Sequence, residues 1–356
     1  MKYTFQLLIT LLLLAGCHRP TTSELCTELQ RAEALMYPHP DSALHILQAM
    51  DVPGDELNRA TWALFTTQAK YKLYQTQSDS LINIALPYFL ENGDTQRKAL
   101  TLYYRAALYK EHKDIEKAQE FYYQAIKEVE KTEDYVLGHL IYAGLGGLYL
   151  YRDLIDYAKE VYIKAYDYAQ MANNKKAIIA SCMYLGRIEK ELHNYNKAIV
   201  YYNEAITLSK EINASEMLVS ALNDLALGYM YSKDFQNALH YIKESIKIAE
   251  KDSLEINESR YTTIGQIYLK LNQLDSAEFY IKKALTSSNV YRLENAYITL
   301  HNIYNKKNLY KEASSSLAKA WIYNDSITKL DKSRILIEMQ EKYDQQKVKD
   351  EAAMEI

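Results

Sequence analysis

The stretch GRIEKELHNYNKAIVYYNEA, residues Gly186–Ala205, decides the fold because its small and aromatic residues recur along the chain. The alanine at position 198 belongs to a series in which each member follows the last by 36 to 40 residues. The series is Ala118, Ala158, Ala198, Ala238, Ala277 and Ala313. Six copies at nearly constant spacing indicate an array of similar structural units.

Other positions keep a fixed distance from these alanines. A small residue stands twelve positions before five of the six, and His301 is the exception. A tyrosine follows three positions after the small residue, except in one copy, which has Glu189. The small residues are Ala106, Gly146, Gly186, Ala226 and Gly265, and the tyrosines are Tyr109, Tyr149, Tyr229, Tyr268 and Tyr304. Four positions after the alanines stand Tyr122, Tyr162, Tyr202, Ile242, Ile281 and Leu317, and seven after stand Ala125, Ala165, Ala205, Ser245, Ala284 and Ala320.

These spacings predict one helical hairpin in each copy. Residues three, four and seven positions apart lie on one stripe of an α-helix, so the small residues mark close contacts between helices. A polar pair separates the two helices of each hairpin. The pairs are Lys113-Asp114, Arg152-Asp153, His193-Asn194, Lys233-Asp234, Asn272-Gln273 and Lys307-Asn308. A single hairpin leaves apolar surface exposed and therefore needs its neighbour.

The order small, aromatic, alanine, aromatic, alanine resembles the tetratricopeptide repeat from about Leu100 to Trp321. The resemblance implies an all-α fold, a right-handed α-solenoid of stacked helical hairpins in a tetratricopeptide-like superhelix. The sequence departs from the family in repeat length, since the family's repeats run about 34 residues. It also lacks the family's connecting proline, because every proline lies at or before Pro87. Five or six extra residues lengthen a hairpin by about a turn and a half of helix.

Helix-forming segments flank the repeats. We predict degenerate N-terminal hairpins over residues 25–95, six repeats over 96–327 and a charged C-terminal helix over 328–356. The N-terminal helix pairs are Ser23–Met36 with Ser42–Met50, and Glu56–Tyr74 with Asp79–Leu90. Pro87 fits the last of these helices only at a kink or near an end. In the C-terminal segment Ile335, Met339 and Tyr343 recur at a spacing of four, and the short stripe favours a solvated terminal helix over a coiled coil.

The N-terminus predicts export. Lys2 is followed by an apolar run from Leu7 to Leu14, which is far shorter than the roughly 20 residues that span a bilayer. Residues 1–16 are therefore predicted to be a signal peptide. The sequence Leu14-Ala15-Gly16-Cys17 resembles the lipobox of bacterial lipoproteins, which implies acylation of Cys17. Residues 17–24 would then be a tether, and the protein would be lipid-anchored in the bacterial cell envelope, facing the periplasm.

Two further cysteines, Cys26 and Cys182, could pair in an oxidising compartment. Several predicted helices lie between them, whereas a disulfide needs Cα atoms within roughly 7 Å. We therefore interpret Cys182 as a small buried hydrophobe.

Composition argues against catalysis and nucleic-acid binding. The 42 basic and 46 acidic residues give a net charge of −4, which produces no field that concentrates nucleic acid. The chain has no glycine-rich phosphate loop, no paired-cysteine zinc spacing and no nucleophile elbow. The 8 histidines are scattered. We expect no catalytic residues, no metal site, no cofactor and no enzyme activity.

The family resemblance implies a groove that binds a protein or peptide partner, lined by the first helix of each repeat. The family's groove positions fall on Tyr103, Lys110, Arg187, Lys190, Asn223, Tyr231, Gln266, Lys270, Asn302 and Lys306. One version of the family grips a carboxylate with asparagines, but the matching positions hold Gly144, Tyr184 and Asp224, which does not support that specificity.

Two other functions stay open at this stage. The chain resembles the exported repeat region of membrane-bound regulators, which implies a sensory part of a signalling or transcriptional regulator without its output domain. The resemblance to these regulators rests on the stretch Ile335–Tyr343. SusD-like glycan-binding lipoproteins also contain such repeats, but large insertions interrupt theirs, and the repeats here are uninterrupted. A lipid-anchored scaffold that binds a protein or peptide is the preferred interpretation.

Overall fold

The computed structural model describes residues 24–254 and 258–328, and all regular structure in these ranges is helical. The predicted signal peptide, the lipidation site Cys17 and the charged segment that contains Ile335, Met339 and Tyr343 lie outside the described residues. No helix within the two described ranges is long and apolar enough to cross a membrane.

The chain divides into two compact units, with the boundary along the sequence between Glu133 and Asp134. The helices of the N-terminal unit are α1 (Thr27–Leu35), α2 (Pro40–Ala49), α3 (Glu56–Lys72), α4 (Ile82–Asn92), α5 (Thr95–Glu111) and α6 (Ile115–Val129). The predicted N-terminal helix pairs correspond to α1 with α2 and α3 with α4. Pro87 lies inside α4. The division of the chain at residues 95 and 96 stays a prediction.

The C-terminal unit continues the hairpins. Its helices are α7 (Tyr135–Tyr151), α8 (Ile155–Met171), α9 (Lys175–Glu191), α10 (Tyr195–Glu211), α11 (Ser215–Tyr231), α12 (Phe235–Lys251), α13 (Glu258–Lys270), α14 (Leu274–Ala284), α15 (Val290–Lys306) and α16, the described helical residues 310–328. Helices α7 to α12 each contain 17 residues and are separated by three-residue turns. Two such helices with their turns account for the repeat length of 40.

The three-residue turns end one helix and begin the next. In the turn after α5, Lys113 has a φ of 64°, and the N–H of Asp114 donates to the carbonyl of Tyr109 at 2.9 Å. This is the Schellman arrangement, which satisfies carbonyls at the end of a helix. The Asp114 side chain then accepts from the N–H of Lys117, so it caps α6. The corresponding residues with positive φ include Asp153, Asn173, His193, Asn213, Lys233, Asn272 and Asn308.

The small residues mark the close contacts between paired helices. A methyl group on Gly146 would lie 2.6 Å from the ring of Tyr162, and one on Gly265 would lie 2.6 Å from Ile281. Both distances are shorter than carbon atoms tolerate, so only a hydrogen fits beside each large side chain. The repeat alanines are at most 1% exposed. The prediction that these positions form the hairpin contacts is confirmed.

The two exceptions to the repeat pattern have local partners. Glu189 replaces the usual tyrosine and is buried, where its carboxylate lies 2.8 Å from Lys159 Nζ and accepts from Asn194 Nδ2 at 2.8 Å. His301 replaces the small residue, and its Nδ1 lies 2.9 Å from the carbonyl oxygen of Ala313. Polar partners therefore substitute for packing at both positions.

The two described cysteines are both free. Cys182 is fully buried in the core around α9, α10 and α11, which confirms its interpretation as a small hydrophobe. Burial raises the pKa of its thiol above the ordinary value, so the thiol stays protonated at neutral pH.

Candidate partner-binding face

The first helices of successive hairpins in the C-terminal unit contact one another in the order α9, α11, α13, α15. Polar side chains link the neighbouring helices of this series. We call the surface that carries these side chains the first-helix face. Its residues are Tyr184, Arg187, Lys190, Asn223, Asp224, Tyr231, Arg260, Gln266 and Arg292.

An ion pair on this face joins α9 to α11. Arg187 Nε donates to Asp224 Oδ2 at 2.7 Å. Burial raises the pKa of the Asp224 carboxyl, and the charges of Arg187 and Lys190 oppose part of that rise. Burial also lowers the pKa of the Arg187 guanidinium. The charge of Asp224 and the hydrogen bond to it raise that pKa by more, so the net shift is upward. The pair therefore holds a charged arginine in a half-buried position.

An aromatic stack supports this arginine. The rings of Tyr184 on α9 and Tyr162 on α8 are stacked with centroids 4.7 Å apart and an angle of 16°. The guanidinium carbon of Arg187 lies 5.5 Å from the Tyr184 ring centroid. Arginine is attracted to the face of such a ring, so Tyr184 fixes the guanidinium from a second side.

A second aromatic pair lies where α9 and α11 end. Tyr231 is 49% exposed and stacks on Tyr195, with ring centroids 6.1 Å apart. Lys190 Nζ lies 5.3 Å from the Tyr231 centroid and 2.8 Å from Glu191. An open cavity of about 490 Å³ adjoins this pair. Its lining residues are His193, Asn194, Tyr195, Asn196, Lys197, Tyr231, Ser232 and Lys233.

Helices α11, α13 and α15 continue the polar series. Arg260 on α13 is buried, and its charge is attracted to Asp224. Gln266 Nε2 donates to Asn295 Oδ1 at 2.7 Å, which links α13 to α15. Arg292 Nη1 lies 2.8 Å from Glu258 Oε2 across the same two helices.

The structure places all eight predicted groove residues of the C-terminal unit at accessible positions. Arg187, Lys190, Asn223 and Gln266 are partly exposed, while Tyr231 is exposed. Three further predicted residues are exposed at or near the ends of α13 and α15. They are Lys270, Asn302 and Lys306.

The prediction for Tyr103 is wrong. This tyrosine is only 6% exposed, and its ring makes edge-to-face contacts with Tyr71 and Tyr104. Bulky aromatic neighbours on α3 and α5 close over the ring, so it packs in the core of the N-terminal unit. Lys110, in the same unit, is half-buried, and burial lowers its pKa. Neither residue belongs to the first-helix face.

Sequence reasoning does not identify four contributors to this face. Arg260 and Arg292 are not among the predicted groove residues, and Tyr184 and Asp224 enter only as departures from the family's carboxylate-binding pattern. Asp224 is the one acidic residue in the apolar run Leu218–Leu227, which is a signal that a buried charge has a partner. Among the described residues no group of histidine, cysteine, aspartate and glutamate side chains is arranged to hold a metal ion.

A family model described as tetratricopeptide repeat matches residues 179–212 and 259–291. The chain contains tetratricopeptide repeats. The first match covers most of α9 and all of α10, and the second covers most of α13 and all of α14. Both are hairpins whose first helix contributes to the first-helix face.

Solved structures of two other proteins have a similar fold. The apo form of RapI superposes with a TM-score of 0.69 at 11% identity, over 85% of this chain and 98% of RapI. A signal transduction ATPase with a tetratricopeptide repeat sensor, from Pyrococcus horikoshii, superposes with a TM-score of 0.63 at 17% identity, over 86% of this chain and 48% of its own. The predicted α-solenoid of stacked helical hairpins is confirmed.

Two further proteins are similar. A Rap protein complexed with competence and sporulation factor has a TM-score of 0.56 at 14% identity, over 85% of this chain and 98% of its own. The STIP1 homolog of Dictyostelium discoideum is 29% identical over 109 residues, which are 28% of this chain and 18% of that protein. The match thus spans less than a fifth of this curated relative.

Proposed function

We propose that the first-helix face of the C-terminal unit binds an extended segment of a protein partner. One observation carries the proposal: consecutive first helices present a continuous series of partly exposed polar and aromatic side chains, from Arg187 to Arg292. Tyrosine and arginine are the residue types that most often anchor protein interfaces. The Rap protein whose structure contains competence and sporulation factor has a similar fold, which supports binding as the role of the repeats.

A peptide library tests this proposal. Random twelve-residue peptides displayed on phage would be selected against the protein, and the enriched peptides would be measured by fluorescence anisotropy. Truncating an aromatic anchor commonly costs about 1–2 kcal/mol of binding, so Tyr231→Ala should weaken binding by about tenfold. Val200→Ala is the matched control, because Val200 is 65% exposed on the second helix α10. Failure to enrich any peptide, or equal losses in both variants, would reject the proposal.

We also propose that the protein is a lipid-anchored scaffold of the bacterial envelope. The support is the lipobox-like sequence that ends at Cys17, which follows an apolar run of signal-peptide length. Two or more acyl chains hold a protein stably on a membrane, whereas one chain holds it only marginally.

The anchor is tested by replacing one cysteine at a time. Cys17→Ser should abolish metabolic labelling with an alkyne-tagged palmitate and move the protein out of the membrane fraction. Cys26→Ser is the control, because Cys26 follows nine residues later and should leave labelling and fractionation unchanged. Persistent membrane association of the Cys17→Ser protein would refute lipid tethering.

A further inference from the structure

The open cavity beside Tyr231 lies between two successive turns of the C-terminal unit. One wall comes from the turn between α9 and α10, and the other comes from the turn between α11 and α12. We call this space of about 490 Å³ the turn cavity. Pockets of roughly 300–1,000 Å³ commonly bind small molecules, so the turn cavity has the size of a small-molecule site.

The side chains that line the turn cavity are accessible from solvent. Six of the eight lining residues are exposed, and the other two, Tyr195 and Ser232, are partly exposed. The side chains of Asn196, Lys197 and Lys233 make no hydrogen bond or ion pair with the described residues. A ligand can therefore bind these three side chains without breaking a contact that already exists.

The charge of the turn cavity is positive. Lys197 and Lys233 both line it, and none of the described residues in its lining is acidic. The acidic side chains nearby are engaged elsewhere. Glu189 is buried in an ion pair with a lysine of α8, Glu191 pairs with the preceding lysine at 2.8 Å, and Asp234 caps α12. Two ammonium groups without acidic partners favour a ligand that carries an anionic group.

This charge is specific to one pair of turns. The turn cavity is lined by residues of two blocks, 193–197 and 231–233. The matching blocks of the two neighbouring repeats contain acidic residues, which are Asp153, Asp156 and Glu191 in the preceding repeat and Asp234 in the following one. The positive lining is therefore a property of these side chains and not a consequence of the repeat fold.

The two tyrosines give the turn cavity a limited apolar surface. His193 Nδ1 lies 2.9 Å from the Tyr195 hydroxyl, and the Tyr195 ring is stacked with that of Tyr231. A pyranose sugar has a patch of C–H groups and a rim of hydroxyl groups, so it matches a tyrosine beside an amide such as Asn196. A flat nucleobase needs a larger free ring face, but Tyr195 and the Lys190 ammonium, 5.3 Å from the Tyr231 centroid, already lie against that ring.

We propose that the turn cavity binds an acidic sugar, a pyranose that carries one carboxylate or phosphate group. Lys197 and Lys233 attract the acidic group, Asn196 hydrogen-bonds to hydroxyl groups, and the C–H patch rests on Tyr231. The site adds a small-molecule ligand to the repeats, and it does not depend on the peptide-binding role proposed for the first-helix face.

Five small probes test the chemistry of the ligand. The methyl glycoside of glucuronate carries a carboxylate, glucose 6-phosphate carries a phosphate, and the methyl glycoside of glucose is neutral. Acetate supplies the anion alone, and adenosine monophosphate supplies a base with a phosphate. Each would be titrated into the full chain, with dissociation constants from saturation-transfer difference NMR.

We expect saturable binding of at least one acidic sugar, and the tighter of the two identifies the acidic group. The neutral glycoside should bind about fivefold more weakly, which corresponds to about 1 kcal/mol, the upper end for an exposed ion pair. Raising the salt concentration from 50 to 300 mM should reduce that difference, because the charges are exposed and screened. No binding of either acidic sugar, equal binding of the neutral glycoside, or tighter binding of acetate or adenosine monophosphate would overturn the proposal.

Two matched lysine variants locate the site. Lys233 and Lys113 have φ values of 66° and 64° at the same position of their turns, so Lys233→Gly and Lys113→Gly remove the same charge from the same backbone conformation. Glycine adopts this conformation without strain, so a loss of binding is not explained by unfolding. Lys233→Gly should weaken binding of the acidic sugar by about fivefold and leave the neutral glycoside unchanged, whereas Lys113→Gly should change neither. Equal effects of the two variants would reject the turn cavity as the site.

Failure of the turn cavity and failure of the first-helix face give different results. Sugar binding that depends on Lys233, without any enriched peptide, would keep the cavity and reject the face as a peptide groove. Enriched peptides that lose affinity in Lys233→Gly, without any binding of an acidic sugar, would overturn the sugar site and assign the cavity to the peptide.

Discussion

The ring of Tyr202 on α10 occupies the space beside Gly186 on α9, where a methyl group would lie 2.4 Å from Tyr202 Cε1. The same ring lies near Gly228 on α11, but a methyl group there would be 3.5 Å away. One aromatic side chain thus contacts the first helices of two successive hairpins, and only the contact within its own hairpin requires glycine.

Gly186→Ala is expected to destabilise the protein. Alanine favours a helix over glycine by about 1 kcal/mol, but forcing a carbon atom into a well-packed contact costs about 1–3 kcal/mol. Tyr202 is fully buried, so its ring cannot move into solvent to make room. Urea denaturation followed by circular dichroism should show a lower midpoint than that of the wild type.

Gly228→Ala is the control for this prediction. Its new methyl group meets Tyr202 and Ile199 at ordinary contact distance, so the gain in helix propensity remains, up to about 1 kcal/mol. A higher or unchanged denaturation midpoint is expected. Equal destabilisation by both substitutions would contradict the account of the hairpin contact.

The contrast between these glycines shows which helix contacts can be predicted from the sequence. The spacing of small residues predicts that Gly186 meets a large side chain of its own hairpin, because contacts within a hairpin repeat with the period of the sequence. Tyr103 cannot be placed in the same way, since its burial depends on Tyr71, which lies on α3 in the irregularly spaced N-terminal hairpins, as well as on Tyr104 of its own helix. The partnership of Arg187 with Asp224 likewise joins two repeats, and a pattern within single repeats does not reveal it.

Lys233→Gly is expected to stabilise the protein. Lys233 has a φ of 66° in the turn between α11 and α12, a conformation that costs a side chain with Cβ about 1 kcal/mol or more. Glycine adopts it without strain, although glycine also loses more entropy on folding. The net gain should be about 0.5–1 kcal/mol, measured as a raised midpoint in urea.

Asn272→Gly tests the same turn geometry with a different starting residue. Asn272 has a φ of 59°, but asparagine tolerates this region better than lysine does. Its replacement should therefore change the midpoint less than Lys233→Gly does. A larger gain at position 272 would argue against backbone strain as the cause.

Glu278 should make stability depend on pH in the acid range. Burial opposes its charge, but hydrogen bonds from Lys282, Lys307 and Tyr304 lower its pKa to about 2. A lowered folded-state pKa stabilises the fold above the unfolded-state value, and that stabilisation is lost as pH falls through the folded-state value. The contribution, on the order of 2 kcal/mol, should be complete at pH 7 and fade between about pH 5 and pH 2.

Glu278→Gln separates this carboxylate from the other acids of the chain. The substitution keeps the size of the side chain but cannot titrate, so the variant should be less stable than the wild type at pH 7. The difference in free energy of unfolding should shrink towards pH 2.5. A difference that stays constant from pH 7 to pH 2.5 would show that packing rather than charge is responsible.

Ala198→Trp tests the register of the repeat itself. Ala198 is fully buried on α10 in the core cluster that contains Cys182, Tyr202 and Leu222. An indole at this position overpacks the core by far more than one methyl group, so the hairpin and the neighbours that stack on it should lose stability. We expect the first thermal transition to fall by several degrees, since about 1 kcal/mol shifts Tm by roughly 2–4 °C in a domain of 150–250 residues.

Val200→Trp is the matched control, because Val200 lies two residues further along α10 and its side chain is exposed. A melting curve that Ala198→Trp leaves unchanged, or that Val200→Trp lowers equally, would contradict the assignment of this alanine to the inner face of the hairpin.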